Sequence, residues 1–191
     1  MIRNIRNKIR KNRGFTLVEL MIVVAIVGIL AALAIYGVTR YMKNAKTAEA
    51  RNSIGQMAKD ASAAYSREKM PAGVVSAGSS AALSNTLCTS VTATVPTDIG
   101  AVKGAKYQSS PAEWAPADDA ATKGFKCLKF SMDQPQYYLY NYTATGETAF
   151  AAIAQGDLDG DSDPSTFQIQ GAVRDGAVAL SPSIEETDPE E

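Results

Sequence analysis

Residues 14–38 read GFTLVELMIVVAIVGILAALAIYGV, and within them residues 20–38 carry no charged side chain. At about 1.5 Å of rise per residue that run spans about 28 Å as a helix, close to the ~30 Å hydrocarbon core of a bilayer. It is apolar on every side, whereas a helix on the surface of a soluble protein needs a polar face. The expectation is a helix that spans a membrane at some stage.

Upstream, residues 1–14 hold six bases (Arg3, Arg6, Lys8, Arg10, Lys11, Arg13) and no acid. A short basic stretch directly before an apolar run keeps the start of a chain cytoplasmic. The remaining residues carry 13 bases against 20 acids, a net charge of −7, so the basic end does not imply a nucleic-acid partner. Ala32-Leu33-Ala34 offers a rival reading, a signal-peptidase site closing an ordinary secretory leader. The apolar run is longer than the roughly 7–15 residues of such leaders, and Glu19 stands near its start. A permanent single-span anchor is a second rival.

Downstream, Tyr41, Ala45, Ala48, Ile54, Met57, Ala58, Ala61, Ala64 and Tyr65 recur at steps of three and four. Lys43, Lys46, Glu49, Arg51, Lys59, Asp60 and Arg67 fill other positions. The spacing predicts an amphipathic helix over residues 39–70 that continues the apolar one and ends at Met70-Pro71-Ala72-Gly73. Residues 72–86 are small and polar and read as a loop. Beyond them, strands are expected at 88–95, 125–132, 136–143, 148–154, 166–170 and 177–180, with turns at Thr145-Gly146 and Asp175-Gly176. The acidic residues 185–191 read as a disordered tail. The fold class is therefore α+β. A long N-terminal helix, apolar over 15–38 and amphipathic over 39–70, packs on a small antiparallel sheet within a β-rich head at 71–184.

The stretch Gly14-Phe15-Thr16-Leu17-Val18-Glu19 joins the basic leader to the apolar run. It resembles the prepilin peptidase recognition sequence of type IV pilins and type II secretion pseudopilins, and the resemblance covers about residues 13–50. That resemblance implies cleavage between Gly14 and Phe15 on the cytoplasmic side, removal of residues 1–14, and methylation of the new amine on Phe15. Glycine suits such a site because it lacks a Cβ that would shield its carbonyl.

Glu19 needs a partner if it is carried towards the bilayer centre, where a carboxylate costs roughly 2.5–3.5 kcal/mol. The alternative is a carboxylate solvated among the headgroups. Cleavage creates an amine four positions earlier on the same helical face. The resemblance assigns Glu19 to neutralising that amine in a neighbouring subunit during assembly. One departure concerns the position after Ile35, where the family often carries proline. Here Tyr36 and Gly37 follow, and Gly37 lowers helix propensity by only about 1 kcal/mol relative to alanine. Gly28 is a second weak point.

What the resemblance implies is a structural subunit of a type IV pilus, used in adhesion, twitching motility or DNA uptake. Its partners would be other pilins in a homo-oligomeric or mixed filament, the prepilin peptidase and an inner-membrane assembly platform. The precursor would sit in the inner membrane with its head in the periplasm before joining an extracellular pilus. A type II secretion pseudopilin in a periplasmic pseudopilus is the alternative. An enzyme finds no support: the chain has no histidine, no nucleophile elbow and no cysteine–base pair.

Two further features stand apart from the motif. Cys88 and Cys127 follow the apolar segment; if that part is exported, a disulfide is expected, the alternative being two buried thiols. Asp157, Asp159, Asp161 and Asp163 alternate through GDLDGDSD, which lets several oxygens converge on a hard cation such as Ca2+. The match to an EF-hand loop is partial, with Ser162 at position six and Gln168 at position twelve. A solvated acidic turn is the other reading, and no cofactor is required. Tyr137, Tyr138, Tyr140 and Tyr142 are expected as strand residues, not as a binding platform.

Overall fold

The computed structural model describes residues 14–67, 76–79, 84–117 and 119–189. The leader before Gly14, the Met70-Pro71-Ala72-Gly73 terminator and the last two acids lie outside the described residues. The chain divides into two units, Met1–Tyr41 and Met42–Glu191.

Helix α1 is Leu17–Tyr65. In the first unit its side chains are exposed throughout, from Leu17 at 74% to Tyr41 at 75%. The second unit contains a 3₁₀ turn at Ile99–Val102, the short helices α2 (Pro111–Trp114) and α3 (Gly124–Leu128), and a five-stranded sheet. The strands are β1 (Leu139–Thr145), β2 (Ala149–Gly156), β3 (Ser165–Arg174), β4 (Ala177–Leu180) and β5 (Glu185–Thr187). All pairings are antiparallel, in the order β1-β2-β3, with β4 and β5 sharing the far side of β3. Asp175 and Gly176, at φ 51° and 77°, make the tight β3–β4 turn in the left-handed region that an Asp-Gly pair tolerates.

The inner face of the sheet sets large residues opposite small ones. Tyr140 pairs with Ala154 and Ala154 with Phe167; Tyr142 pairs with Ala152 and Ala152 with Ile169. Ala50, Ile54, Met57, Ala58, Ala61 and Ala64 of α1 belong to the same buried cluster. Alanines on both layers let the tyrosine and phenylalanine rings fill the space between them, as close packing requires. At Gly171 a Cβ would stand 2.4 Å from the Phe150 ring, so only glycine fits without displacing that ring.

Four expectations are corrected. The first is the amphipathic stripe: Tyr41, Ala45 and Ala48 are exposed, and Thr47 and Ala50 are buried in their place. At 3.6 residues per turn, Tyr41, Ala45 and Ala48 project from the side of the helix opposite Ala50, Ile54 and Met57. The second is the strand at 88–95, which is an extended segment beside β1. Val91 N–H donates to Tyr142 O at 3.0 Å, and Val95 and Tyr140 exchange bonds of 3.1 and 2.8 Å. Between them Thr92 donates to Asp119 and Thr94 to Pro96 O, and such side-chain bonds compete with a continuous ladder.

The third is the strand at 125–132. It is α3 followed by Lys129 at φ 64°, because Phe125 and Leu128 bury together at helical spacing. Phe125 and Phe130 close edge-on around Trp114, at 4.9 and 5.4 Å between ring centroids. The fourth is the disordered tail. Glu185–Thr187 forms β5, held where Arg51 forks onto Glu186 with bonds of 2.7 and 2.9 Å.

Candidate functional site

At the processing motif, Thr16 is the residue before α1, and its hydroxyl accepts the N–H of Glu19 at 3.2 Å. The Glu19 carboxylate lies 3.5 Å from the same hydroxyl. Thr16-Leu17-Val18-Glu19 thus has the Thr-x-x-Glu spacing of a capping box, with the acid in the first turn, where the helix dipole favours negative charge. Gly14, Phe15 and Glu19 are all exposed, and Gly14 has open space where a Cβ would be. An open glycine, a capped helix start and a carboxylate one turn inside it follow one another on an accessible segment.

Near the other end of the apolar run, the Thr39 hydroxyl donates to Ile35 O at 2.8 Å and is 2.9 Å from Tyr36 O. It satisfies carbonyls beside Gly37, and the helix continues through the position where the family often has proline.

Cys88 and Cys127 are joined by a disulfide that links the segment beside β1 to α3. Arg67 near the end of α1 donates to Cys127 O at 2.8 Å. The bridge therefore gathers three elements at one point.

In the aspartate loop, carboxylate oxygens of Asp157, Asp159 and Asp161 lie within 4.8 Å of one another, while Asp163 is outside the group. Asp157 is buried and accepts the N–H groups of Gly160 (2.6 Å) and Ser162 (3.0 Å). Lys43 of α1 pairs with Asp159 at 3.1 Å, and the Lys103 amine meets the Ser162 hydroxyl. The donors suit a hard cation in chemistry and number only if water or main-chain oxygens complete the shell. Lys43 already offsets part of the charge.

Glu49 has a role that no motif announces. Its Oε1 accepts the Tyr137 N–H at 2.9 Å and the Tyr140 hydroxyl at 3.1 Å, tying α1 to the start of β1. Burial raises its carboxyl above the ordinary value of 4.5, against the lowering effect of those bonds and of Lys106. The only signal available was an acid flanking an alanine-rich stripe. Because the folded value is raised, the stability this group contributes is full below the unfolded value and falls as pH rises through the folded one. Glu49→Gln keeps the accepting oxygen and removes the charge. It should raise the urea midpoint at pH 7, by the equivalent of less than about 1 kcal/mol of stability because the group is partly solvated, with the gain vanishing as pH falls below the ordinary value of 4.5. A lower midpoint at pH 7 would contradict this account.

A family model described as the prokaryotic N-terminal methylation motif matches residues 9–35. The chain is 54% identical over 44 residues to the type IV major pilin protein PilA of Myxococcus xanthus (strain DK1622), covering 23% of this chain and 20% of that protein. It is 33% identical over 113 residues to fimbrial protein EcpC of Eikenella corrodens, covering 59% of this chain and 74% of that protein. The type IV major fimbrial protein FimA of Dichelobacter nodosus is 51% identical over 45 residues, 24% of this chain and 29% of its own length. The match therefore spans about a fifth of the Myxococcus protein, under a third of the Dichelobacter protein and about three quarters of the Eikenella protein. No solved structure gives a significant match.

Proposed function

This chain belongs to the type IV pilin family, and from that premise we propose that it is made as a membrane-inserted precursor, cut between Gly14 and Phe15, N-methylated on Phe15 and packed through α1 into a pilus filament. The observation that carries this reading is the exposed apolar half of α1 directly behind the capped Thr16–Glu19 start. Nineteen consecutive uncharged residues exposed in a single chain need lipid or other copies of the same surface around them. Lipid serves before assembly and neighbouring helices serve after it. The Phe15 amine and the Glu19 carboxylate then meet across subunits, because an unpaired charge of either sign in that apolar interior would be costly.

The role is structural and not enzymatic, and the filament serves adhesion, twitching motility or DNA uptake. Partners are other pilins, the prepilin peptidase and an inner-membrane assembly platform. The precursor resides in the inner membrane with its head in the periplasm. Gly14→Ala tests the processing step: the variant should accumulate in the membrane as a precursor heavier by the 14-residue leader. Normal maturation of that variant would sink the reading. The pseudopilin alternative is distinguished by shearing intact cells, since a surface pilus releases this chain into the sheared fraction and a periplasmic pseudopilus does not.

A Ca2+ ion on Asp157, Asp159 and Asp161, displacing Lys43 from Asp159, is a separable proposal supported by the convergence of the three carboxylates. Excess calcium should then raise the melting temperature of the detergent-solubilised chain over that in EGTA. An unchanged melting temperature would leave a turn neutralised by lysine.

A further inference from the structure

Among the described residues, strand β4 pairs with β3 and has no strand on its other side. The ladder shows which main-chain groups that leaves open. Ser181 N–H donates to Gln170 O at 2.8 Å, and Val173 N–H donates to Thr148 O at 2.7 Å, so even-numbered residues of β3 bond towards β4 and odd-numbered ones towards β2. Bonded and non-bonded pairs alternate along an antiparallel ladder. Ala177 and Ala179 therefore bond to Arg174 and Ala172, while the N–H and C=O groups of Val178 and Leu180 point away from the sheet. No group among the described residues bonds to them from outside. Residues 177–180 carry no charge, no proline and no bulge, the devices by which edge strands avoid pairing. Of the large apolar side chains described in the second unit, only Met42 and Leu180 are exposed.

We infer that β4 is an interface that pairs with β4 of a second copy, antiparallel and centred on Ala179. The edge is complementary to itself. In that register Val178 of each copy stands opposite Leu180 of the other, and each such pair exchanges both of its main-chain bonds, so every outward donor and acceptor is satisfied. Val178 and Leu180 share the face of the sheet that carries Phe150. The two Leu180 side chains lie diagonally about 7–8 Å apart on that face and cover one another, while the two Ala179 methyl groups meet on the opposite face without conflict. Setting Val178 against Val178 instead leaves Leu180 opposite the Asp175-Gly176 turn, so the register centred on Ala179 is the one that uses the whole edge. The inference rests on the filament reading, which brings many copies together. A helical filament repeats one heterologous contact, whereas this contact is two-fold and uses the same edge of both copies. It therefore joins copies in different filaments, side by side. A single short edge binds weakly, and its repetition along two filaments makes the contact effective.

The test is site-directed cross-linking in sheared filaments of the full chain, oxidised and run on non-reducing gels. Cys88 and Cys127 are already bonded to each other, so an added cysteine is the free thiol. Ala179→Cys should give a covalent dimer, because residues opposite each other in a non-bonded pair have Cα atoms about 4.5 Å apart, within the reach of a disulfide. Ala177→Cys should stay monomeric, because its copies stand four residues apart along the pair, about 13 Å, beyond the ~7 Å limit. Leu180→Lys added to Ala179→Cys sets two ammonium groups on the diagonal in place of the leucines, and should lower the dimer fraction about tenfold. Filaments that give no dimer with Ala179→Cys, equal dimer with both single variants, or a dimer fraction unmoved by Leu180→Lys would each overturn the inference. Filament yield from the unmodified chain is scored alongside. Filaments without the cross-link overturn this inference alone, and a chain that yields no filaments overturns the pilus reading with it.

Discussion

Glu19→Ala should be cleaved and methylated normally yet yield almost no filaments, with subunit of mature size accumulating in the membrane. The cap survives the substitution, because Thr16 bonds the main-chain N–H of residue 19 and not its side chain. What is lost is the negative partner of the Phe15 amine in the packed interior. Breaking a buried ion pair from one side costs about 3–5 kcal/mol, or roughly a 10²- to 10⁴-fold weaker contact at each addition. Glu19→Gln, which keeps the shape and removes the charge, should fail in the same way. Sheared filaments in normal yield from either variant would show that charge pairing does not drive assembly.

Cys88→Ser should lower the melting temperature of the full chain in detergent by about 8–16 °C. The disulfide closes a separation of 39 residues, and in the chain-entropy treatment a loop of that size contributes about 4 kcal/mol. For a chain of this length, 1 kcal/mol corresponds to about 2–4 °C. Both half-cystines are buried in the same cluster as Ile54, Met57 and Trp114, so the serine also leaves a hydroxyl in an apolar place. Arg67 binds Cys127 O, which ties the end of α1 to the same point and should make it the first part of the helix to lose protection. A fall of less than about 3 °C would mean that the cluster holds these segments without the bridge.

The apolar half of α1 was legible because length and uniform apolarity together admit few readings. Strands β1–β4 were legible because alternation fixes which residues face the core, and because Thr145-Gly146 and Asp175-Gly176 supply the left-handed turns. Elsewhere local pattern and tertiary context disagreed. Residues 125–132 have strand-like composition, yet Phe125 and Leu128 are spaced for a helix turn, and a short apolar run does not discriminate between the two. The acidic end looked disordered because its partner, Arg51, lies 135 residues away in sequence. Tyr41, Ala45 and Ala48 fitted a three-and-four rhythm that the head does not use, because a helix with two apolar faces offers two stripes and composition does not say which the sheet covers.

The candidate site divides in the same way. Gly14, Phe15 and Glu19 form a contiguous motif that can be read one residue at a time. The contacts of Glu49 join segments far apart in the chain. No spacing rule brings them together, so only the folded head reveals them.

The central claim is that a trimmed apolar helix with a new positive end is what assembles. Mass spectrometry of the N-terminal peptide from the exported protein tests it most directly. The account predicts a peptide that begins at Phe15 and carries an N-methyl group; a peptide beginning after Ala34, or one that retains the basic leader, would contradict it.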